Sequence, residues 1–356
     1  MSTLAGARAQ FTGGRHYFGA CSVGLASSGT LAAMREDQQN WADGRCSPAM
    51  YDAAIVRTRA SFARLMNVAP DRVAIGSQTS AMVSVLAAAV PDGAEVLCVD
   101  GDFSSMVYPF VVAGGRGVVV RHVKLAALAA AITPETYLVA FSLVQSASGE
   151  VADVAAITRA AAANGAYTLC DTTQAAGAMP VDASLFDATV CHAYKWLCAP
   201  RGAAFMTLAP AYERTLAPIQ ANWYAGEEIW GSCYGPVMQL SADARRFDVS
   251  PAWPVWVGTE PVIALFASLD LDEVHAHNVA LGNALCDGLG LERKNQAIVT
   301  WPDADGRQLA ALTAAGLVAS GRAGCARVAF HLWNDEQDVA DVLAALALVR
   351  DPQLTA

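Results

Sequence analysis

Between residues 73 and 208 the chain alternates between short apolar runs and longer helix-compatible stretches. RVAIG, EVLCVD, GVVVRHV, YLVAFSLV, YTLCD, DATVCHA and GAAFMTLA have the length and β-branched content of strands buried on both faces. SAMVSVLAAAV and DVAAITRAAAANGA are long enough to be helices connecting such strands. Strand–helix alternation of this kind predicts an α/β chain, with a mainly parallel sheet and helices on both faces. Two further helices, TLAAMREDQQNWADG and YDAAIVRTRASFARLMN, lead into it. Residues 209–259 are rich in Trp, Tyr, Pro and Gly and read as irregular loops. A helical stretch from Glu260 to Leu289 follows, then the strands AIVTW and ARVAFHLW and the closing helix DEQDVADVLAALALV. The expected division is an N-terminal segment over 1–20, a large domain over 21–259 and a smaller α+β domain over 260–356.

Composition narrows the class of partner. The net charge is −10 and no Lys/Arg cluster interrupts the acidic balance, which argues against nucleic acid. No apolar stretch reaches the length of a membrane span, and MSTLAGARAQFTGGRHYFGA has no continuous hydrophobic signal core. The nine cysteines are odd in number and lack paired metal spacing. Cys98, Cys170 and Cys191 lie within apolar strands, so free thiols in a reducing cytoplasm are expected. Cys191, His192 and Cys198 have no second cluster to complete a zinc site, and no metal is expected.

The segment YTLCDTTQAAGAMPVDASLFDATVCHAYKWLCAPRGAAFM concentrates the chemistry. Asp171 closes one apolar run and Lys195 stands just past the next. In parallel sheets ligands collect outside the carboxyl ends of the strands, and both residues fall there. Gln174 lies near the acid, and Tyr194 beside the lysine. A lysine for an imine, an acid for a pyridine nitrogen and donors for a ring oxygen and a phosphate form the set that pyridoxal phosphate requires. Asp171 would keep the ring nitrogen protonated, and Lys195, once exchanged for a substrate amine, would be a base beside Cα. Taken singly, each residue also suits a plain structural role, a surface lysine or a helix N-cap. In RVAIGSQTSAMVSV a strand gives way to a helix N-terminus, where free N–H groups and the helix dipole favour an anion. Ser77, Gln78 and Thr79 supply side-chain donors there, or serve only as caps.

DTTQAAGAMPVD followed by HAYKWLCAPRG resembles the fold-type I, class-V aminotransferases, among them kynureninase, isopenicillin N epimerase-like proteins and cysteine desulfurases. The resemblance runs from about His16 to the last helix. It implies Lys195 as the Schiff-base lysine, Asp171 on the pyridinium nitrogen, Gln174 on the ring 3′-oxygen, and His192 and Tyr194 near the phosphate. It places the phosphate loop at GSQTS, where the family's Thr-Thr-Glu is Gln-Thr-Ser and Thr79 is the surest counterpart. DGDFSSMVYPF resembles the segment that covers the cofactor ring, which makes Phe103 the stacking residue where desulfurases use histidine. CARVAFHLW resembles the segment holding the substrate carboxylate, which implies Arg327 as its planar fork, with an interdomain ion pair as the alternative. Gln145 is a further substrate-facing candidate, as are Tyr17 and Cys21. FDVSPAWPVWVG resembles the stretch that reaches a neighbouring subunit's phosphate in a homodimer, but its Gly-Thr is missing, leaving Ser250 or Thr259 as the hydroxyl. The family's N-terminal residues complete its small domain.

The expected activity is therefore that of a pyridoxal phosphate enzyme working at Cα of an amino acid, as an aminotransferase or a Cβ-eliminating lyase, in a specialised biosynthetic setting. Cysteine desulfuration and epimerisation are the alternatives, and an inactive binding or regulatory protein is a third. The stretch VASGRAGCA before Arg327 is short and lacks the desulfurase His-His-Cys loop, which disfavours sulfur transfer to Cys325.

Overall fold

A computed structural model describes residues 3–349. A short helix α1 (Leu4–Arg8) precedes α2 (Ser28–Ala42) and α3 (Pro48–Leu65). The alternating region then runs β1 (Val73–Gly76), α4 (Thr79–Ala89), β2 (Glu95–Val99), α5 (Ser104–Ala113), β3 (Val119–Val123), α6 (Leu128–Ala131), β4 (Thr136–Ser142), α7 (Val154–Asn164), β5 (Tyr167–Asp171), β6 (Ala188–His192) and β7 (Ala204–Leu208). The seven strands form one sheet in the order β1-β7-β6-β5-β4-β2-β3. All neighbours are parallel except β7, which runs against both β1 and β6.

Strand periodicity explains the two cores. In β5, Cys170 buries into one hydrophobic cluster and Leu169 into another. Phe141 and Ala140 divide in the same way in β4, as successive side chains must. The first cluster is covered by α3, α7 and a helix described below, the second by α4 and α5.

After α8 (Pro210–Glu213) the chain is loop and short 3₁₀ turns as far as Ala252. Helix α9 (Trp253–Phe266) begins earlier than the sequence suggests, because Pro254 suits a helix N-terminus. It buries Val262, Ile263 and Phe266 in the larger core, so the expected boundary at 260 falls inside a helix of the large body. A third hydrophobic cluster is built from α10 (Leu271–Leu289), β8 (Ile298–Pro302), α11 (Arg307–Ala314), β10 (Cys325–Ala329) and α12 (Glu336–Ala347). Between α11 and β10 lies β9 (Ser320–Arg322), completing an antiparallel sheet β8-β10-β9. Phe18 inserts into this third cluster, and its backbone is bonded to Val318 and Ala329 at 2.9 and 3.1 Å. The N-terminal strap then crosses to the large body, where the Gly24 amide donates to the Tyr194 carbonyl at 2.8 Å. Among the described residues no single helix is long and apolar enough to cross a membrane.

Candidate active site

The carboxyl ends of β2, β4, β5 and β6 open on a cavity whose empty space, counted out into open solvent, is about 550 Å³. Asp171 is the last residue of β5, and Lys195 lies in the turn after β6. Both side chains are buried and line the cavity, with Gln78, Thr79, Phe103, Gln174, His192 and Tyr194. The Lys195 Nζ lies 5.2 Å from the centre of the Phe103 ring, whose side chain is 43% exposed and free to receive a flat partner.

Burial dominates the electrostatics. It pushes the Lys195 amine below its ordinary value, against the opposing pull of Asp171. It pushes the Asp171 carboxyl upward, while the Thr173 backbone N–H, donated to Oδ1 at 2.8 Å, favours the ionised form. His192 is held down to about 4 by burial and by the charges of Arg201 and Lys195, so it is neutral at pH 7. Its Nε2 is buried without a hydrogen-bond partner. Such an orphan costs about 1–3 kcal/mol unless a bound group satisfies it.

Helix α4 adds the anion-binding end. Gln78 is its N-cap but makes no side-chain capping bond, and Thr79 opens the first turn. The donors of that turn therefore point at the cavity unspent. These observations fit pyridoxal phosphate: an amine, a buried acid, an aromatic cover, and an anion end bordered by an unsatisfied imidazole.

Of the other expected residues, Gln174 lines the cavity but is already bonded, and the rest do not line it. Gln174 is fully engaged: its Nε2 donates to the Cys21 carbonyl (2.9 Å) and Ser146 Oγ (3.1 Å), and its Oε1 accepts from Trp196 Nε1 (2.7 Å). A ring oxygen would have to replace Ser146. Gln145 does not line the cavity; its amide is turned to Asp102 Oδ2 (3.2 Å) and the Ser142 carbonyl (3.3 Å). Ser77 and Ser250 border a separate recess of about 690 Å³ beside Gly202 and Gln220. Thr259 is spent on the carbonyl of Val255 inside α9 and is fully buried. Arg327, fully buried, donates to Ser22 Oγ (2.8 Å), Ser320 Oγ (3.1 Å) and the Ser146 carbonyl, so that its partners are all neutral. Tyr17 gives its hydroxyl to the Val23 carbonyl at 2.6 Å.

Sequence reasoning missed Arg201, Thr173, Ser105, Ser142 and Ser146, all of which line the cavity. Arg201 stacks over Tyr194 at 5.3 Å. Ser142 and Ser146 follow from the rule that located Asp171, since they sit at and just after the carboxyl end of β4. Asp102 was also missed; it accepts from the Ser142 amide (2.8 Å) and hydroxyl (2.6 Å) and so ties the end of β2 to β4.

Residues 49–317 match the family model for aminotransferase class-V. An isopenicillin N epimerase from Streptomyces clavuligerus is 29% identical over 63% of this chain and 61% of its own length, so the chain aligns with about three fifths of that relative. A structure of the cystine C-S lyase C-DES with its reaction product cysteine persulfide superposes with a TM-score of 0.83 at 20% identity, covering 94% of this chain and 97% of that one. The cysteine desulfurase CsdA from Escherichia coli superposes with a TM-score of 0.83 at 16% identity, covering 98% of both. The two structural likenesses establish the fold, fold type I. With most of its length matched by the family model, the chain belongs to the class-V aminotransferases, a family whose cofactor is pyridoxal phosphate.

Proposed function

We propose that this protein is an enzyme that uses pyridoxal phosphate at the α-carbon of an amino acid, as an aminotransferase or Cβ-eliminating lyase. The observation that carries this reading is buried Lys195, its Nζ 5.2 Å from the Phe103 ring centre, in one cavity with buried Asp171 and the orphaned His192 Nε2. Bound there, the cofactor supplies an aldehyde that condenses with amines and a pyridinium ring that accepts the electron pair released at Cα.

The chain's own residues divide the remaining work. Asp171 would face the ring nitrogen and keep a proton there, a role that fits a buried carboxylate in need of a positive partner. Phe103 covers one ring face. Thr79, Gln78 and the first turn of α4 would take the phosphate, with His192 Nε2 and the Tyr194 hydroxyl beside it. Lys195 anchors the cofactor; when released, its amine, already biased toward the neutral form by burial, takes the proton from Cα. Arg327 holds the substrate carboxylate, exchanging neutral oxygen partners for a charged one. Gln174 reaches the ring oxygen once Ser146 yields.

A homodimer in a reducing cytoplasm is part of the same reading. Free cysteines support the reducing compartment, and the stretch FDVSPAWPVWVG with Ser250, which resembles the family's cross-dimer segment, supports the homodimer. Two features disfavour the alternatives. Phe103, which would cover the ring, has no proton to exchange, whereas a two-base epimerisation would need a second proton carrier. Cys325 is paired within β10 beside a two-residue turn, a poor position from which to swing and accept sulfur.

Borohydride reduction of the holoenzyme should abolish its visible absorbance and leave the pyridoxyl label on Lys195 by peptide mapping. A label on another lysine would end this reading. Product analysis with an amino-acid panel then separates the branches: oxoacid with pyridoxamine phosphate for transamination, oxoacid with ammonia for elimination, and alanine with a protein persulfide for desulfuration.

A further inference from the structure

Charge around the cavity does not balance. Arg201 lines it, Arg327 reaches Ser146 of its lining, and Arg322 stands on the same hairpin as Arg327; among the described residues none of the three is in an ion pair. The nearby acids are engaged: Asp171 by Thr173 and Lys195, Asp102 by Ser142 and Gln145. Arg201 lies on the Tyr194 and His192 side, with the proposed phosphate end. Arg327 is assigned to the α-carboxylate. Arg322 has no assigned anion.

Strand pairing fixes where Arg322 stands. In the antiparallel pair, Ser320 is opposite Arg327 and Arg322 is opposite Cys325. Alternate residues of a strand share a face, so Arg322 projects from the same face as Ser320, whose hydroxyl accepts from Arg327. Arg322 and Arg327 are diagonal neighbours, rooted roughly 7–8 Å apart. Ala323 (φ 51°) and Gly324 (φ 75°) form the turn immediately beyond, which makes Arg322 the last paired residue at the hairpin tip. Its side chain is exposed, and among the described residues its guanidinium donates only to the carbonyl of Gly321, its own neighbour, at 2.8 Å. The hairpin adjoins the site through Arg327, which donates to the carbonyl of cavity-lining Ser146, and the charges of Arg327 and Arg322 add to burial in holding the Lys195 amine down. Arg322 also acts on Tyr194 and on Arg327 itself.

We propose that Arg322 is a specificity determinant that reads a second carboxylate, at the end of the substrate's side chain, while Arg327 holds the α-carboxylate. The substrate class is thus an acidic amino acid. The assignment rests on the amino-acid reading given above. An exposed planar fork beside Arg327 suits a distal carboxylate, which keeps part of its hydration, better than a small neutral side chain, which would leave Arg322 without a counterion.

The test is a titration of holoenzyme with glutamate, glutamine, 2-aminoadipate and norleucine, followed by the change in cofactor absorbance. The acids should bind roughly tenfold or more tightly than their neutral counterparts, as a charge-assisted pair at a partly exposed site allows. Added salt should narrow the gap. In Arg322→Gln the acid-to-neutral ratio should fall toward one, and Arg322→Lys should keep part of it. Arg327→Gln should weaken acids and neutrals together. Equal binding of glutamate and glutamine by the wild type, or a ratio that survives in Arg322→Gln, overturns the assignment and leaves the amino-acid reading standing. If no amino acid perturbs the spectrum and borohydride fails to label Lys195, the underlying reading fails and this one with it.

Discussion

Gly24→Ala tests whether the N-terminal strap sets the position of Lys195. A Cβ at Gly24 would fall 2.1 Å from the Lys195 carbonyl oxygen, 2.8 Å from Cys198 Cα and 2.9 Å from its Sγ. Ordinary contact begins near 3.4 Å, so strap and lysine turn must separate by the difference of 3.4 and 2.1, or 1.3 Å. Neither side yields easily. The Gly24 amide donates to the Tyr194 carbonyl at 2.8 Å, and the Lys195 carbonyl already accepts from the Cys198 amide at 3.0 Å. Forcing atoms into a packed interior costs about 1–3 kcal/mol and sometimes more. A misplacement of about 1 Å at a reacting group can cost on the order of 100-fold in rate. Both effects are expected here, as a lower urea midpoint and as slower borohydride-sensitive labelling of Lys195 by added pyridoxal phosphate. Gly115→Ala is the control, because nothing lies within 4 Å of its Cβ and its φ is not positive. If Gly24→Ala unfolds at the wild-type midpoint and labels at the wild-type rate, the strap does not hold the lysine turn.

Three other perturbations follow from the same geometry. Asp171→Ala should lower turnover by about 100-fold or more and Gln174→Ala by much less, since only the former removes the charge that keeps the ring an electron sink; near-normal turnover of Asp171→Ala would refute its role. Burial holds His331 down to about 4 against an ordinary 6.5. With the folded value below the unfolded one, stability is full above about pH 6.5 and falls with pH, by up to about 1.4 kcal/mol per pH unit until the folded value is reached. Urea titrations near pH 7 and near pH 5 should show a smaller loss in His331→Gln than in the wild type, and equal losses would refute the linkage. Cys325→Ser should keep its activity and no persulfide should form on Cys325 during incubation with cysteine, which mass spectrometry of the tryptic peptides checks.

Much of the fold was legible because strand and helix signals are local. Short apolar runs bounded by turn or helix signals marked all seven strands of the large sheet. What escaped was short or context-dependent. β9 is three residues long, with polar Ser320 and Arg322 on either side of Gly321, and carries no apolar signal; it exists because β10 offers it a paired edge. α11 has buried only Leu312, too little to stand out from its surroundings. α9 begins inside a Pro- and Trp-rich stretch that reads as loop until Tyr51 is seen stacked on Trp253 at 5.0 Å.

The sequence by itself determined the chemistry on offer: Lys195 and Asp171 at the carboxyl ends of successive strands, Phe103 after β2, and an open helix N-terminus at Thr79. Those positions follow from strand direction, which is set residue by residue. The tertiary structure decided which of these groups meet and which are already spent. Gln145, beside the site in sequence, is committed to Asp102, while Arg327 reaches Ser146 from 181 residues away and Ser22 from 305. It also decided that Arg322 shares a face with Arg327, through a strand register that pairs Ser320 with Arg327. The reason is physical: periodicity records which face of its own element a residue occupies, whereas hydrogen-bond partners and unpaired charge depend on how distant elements close on one another, and no local pattern records that.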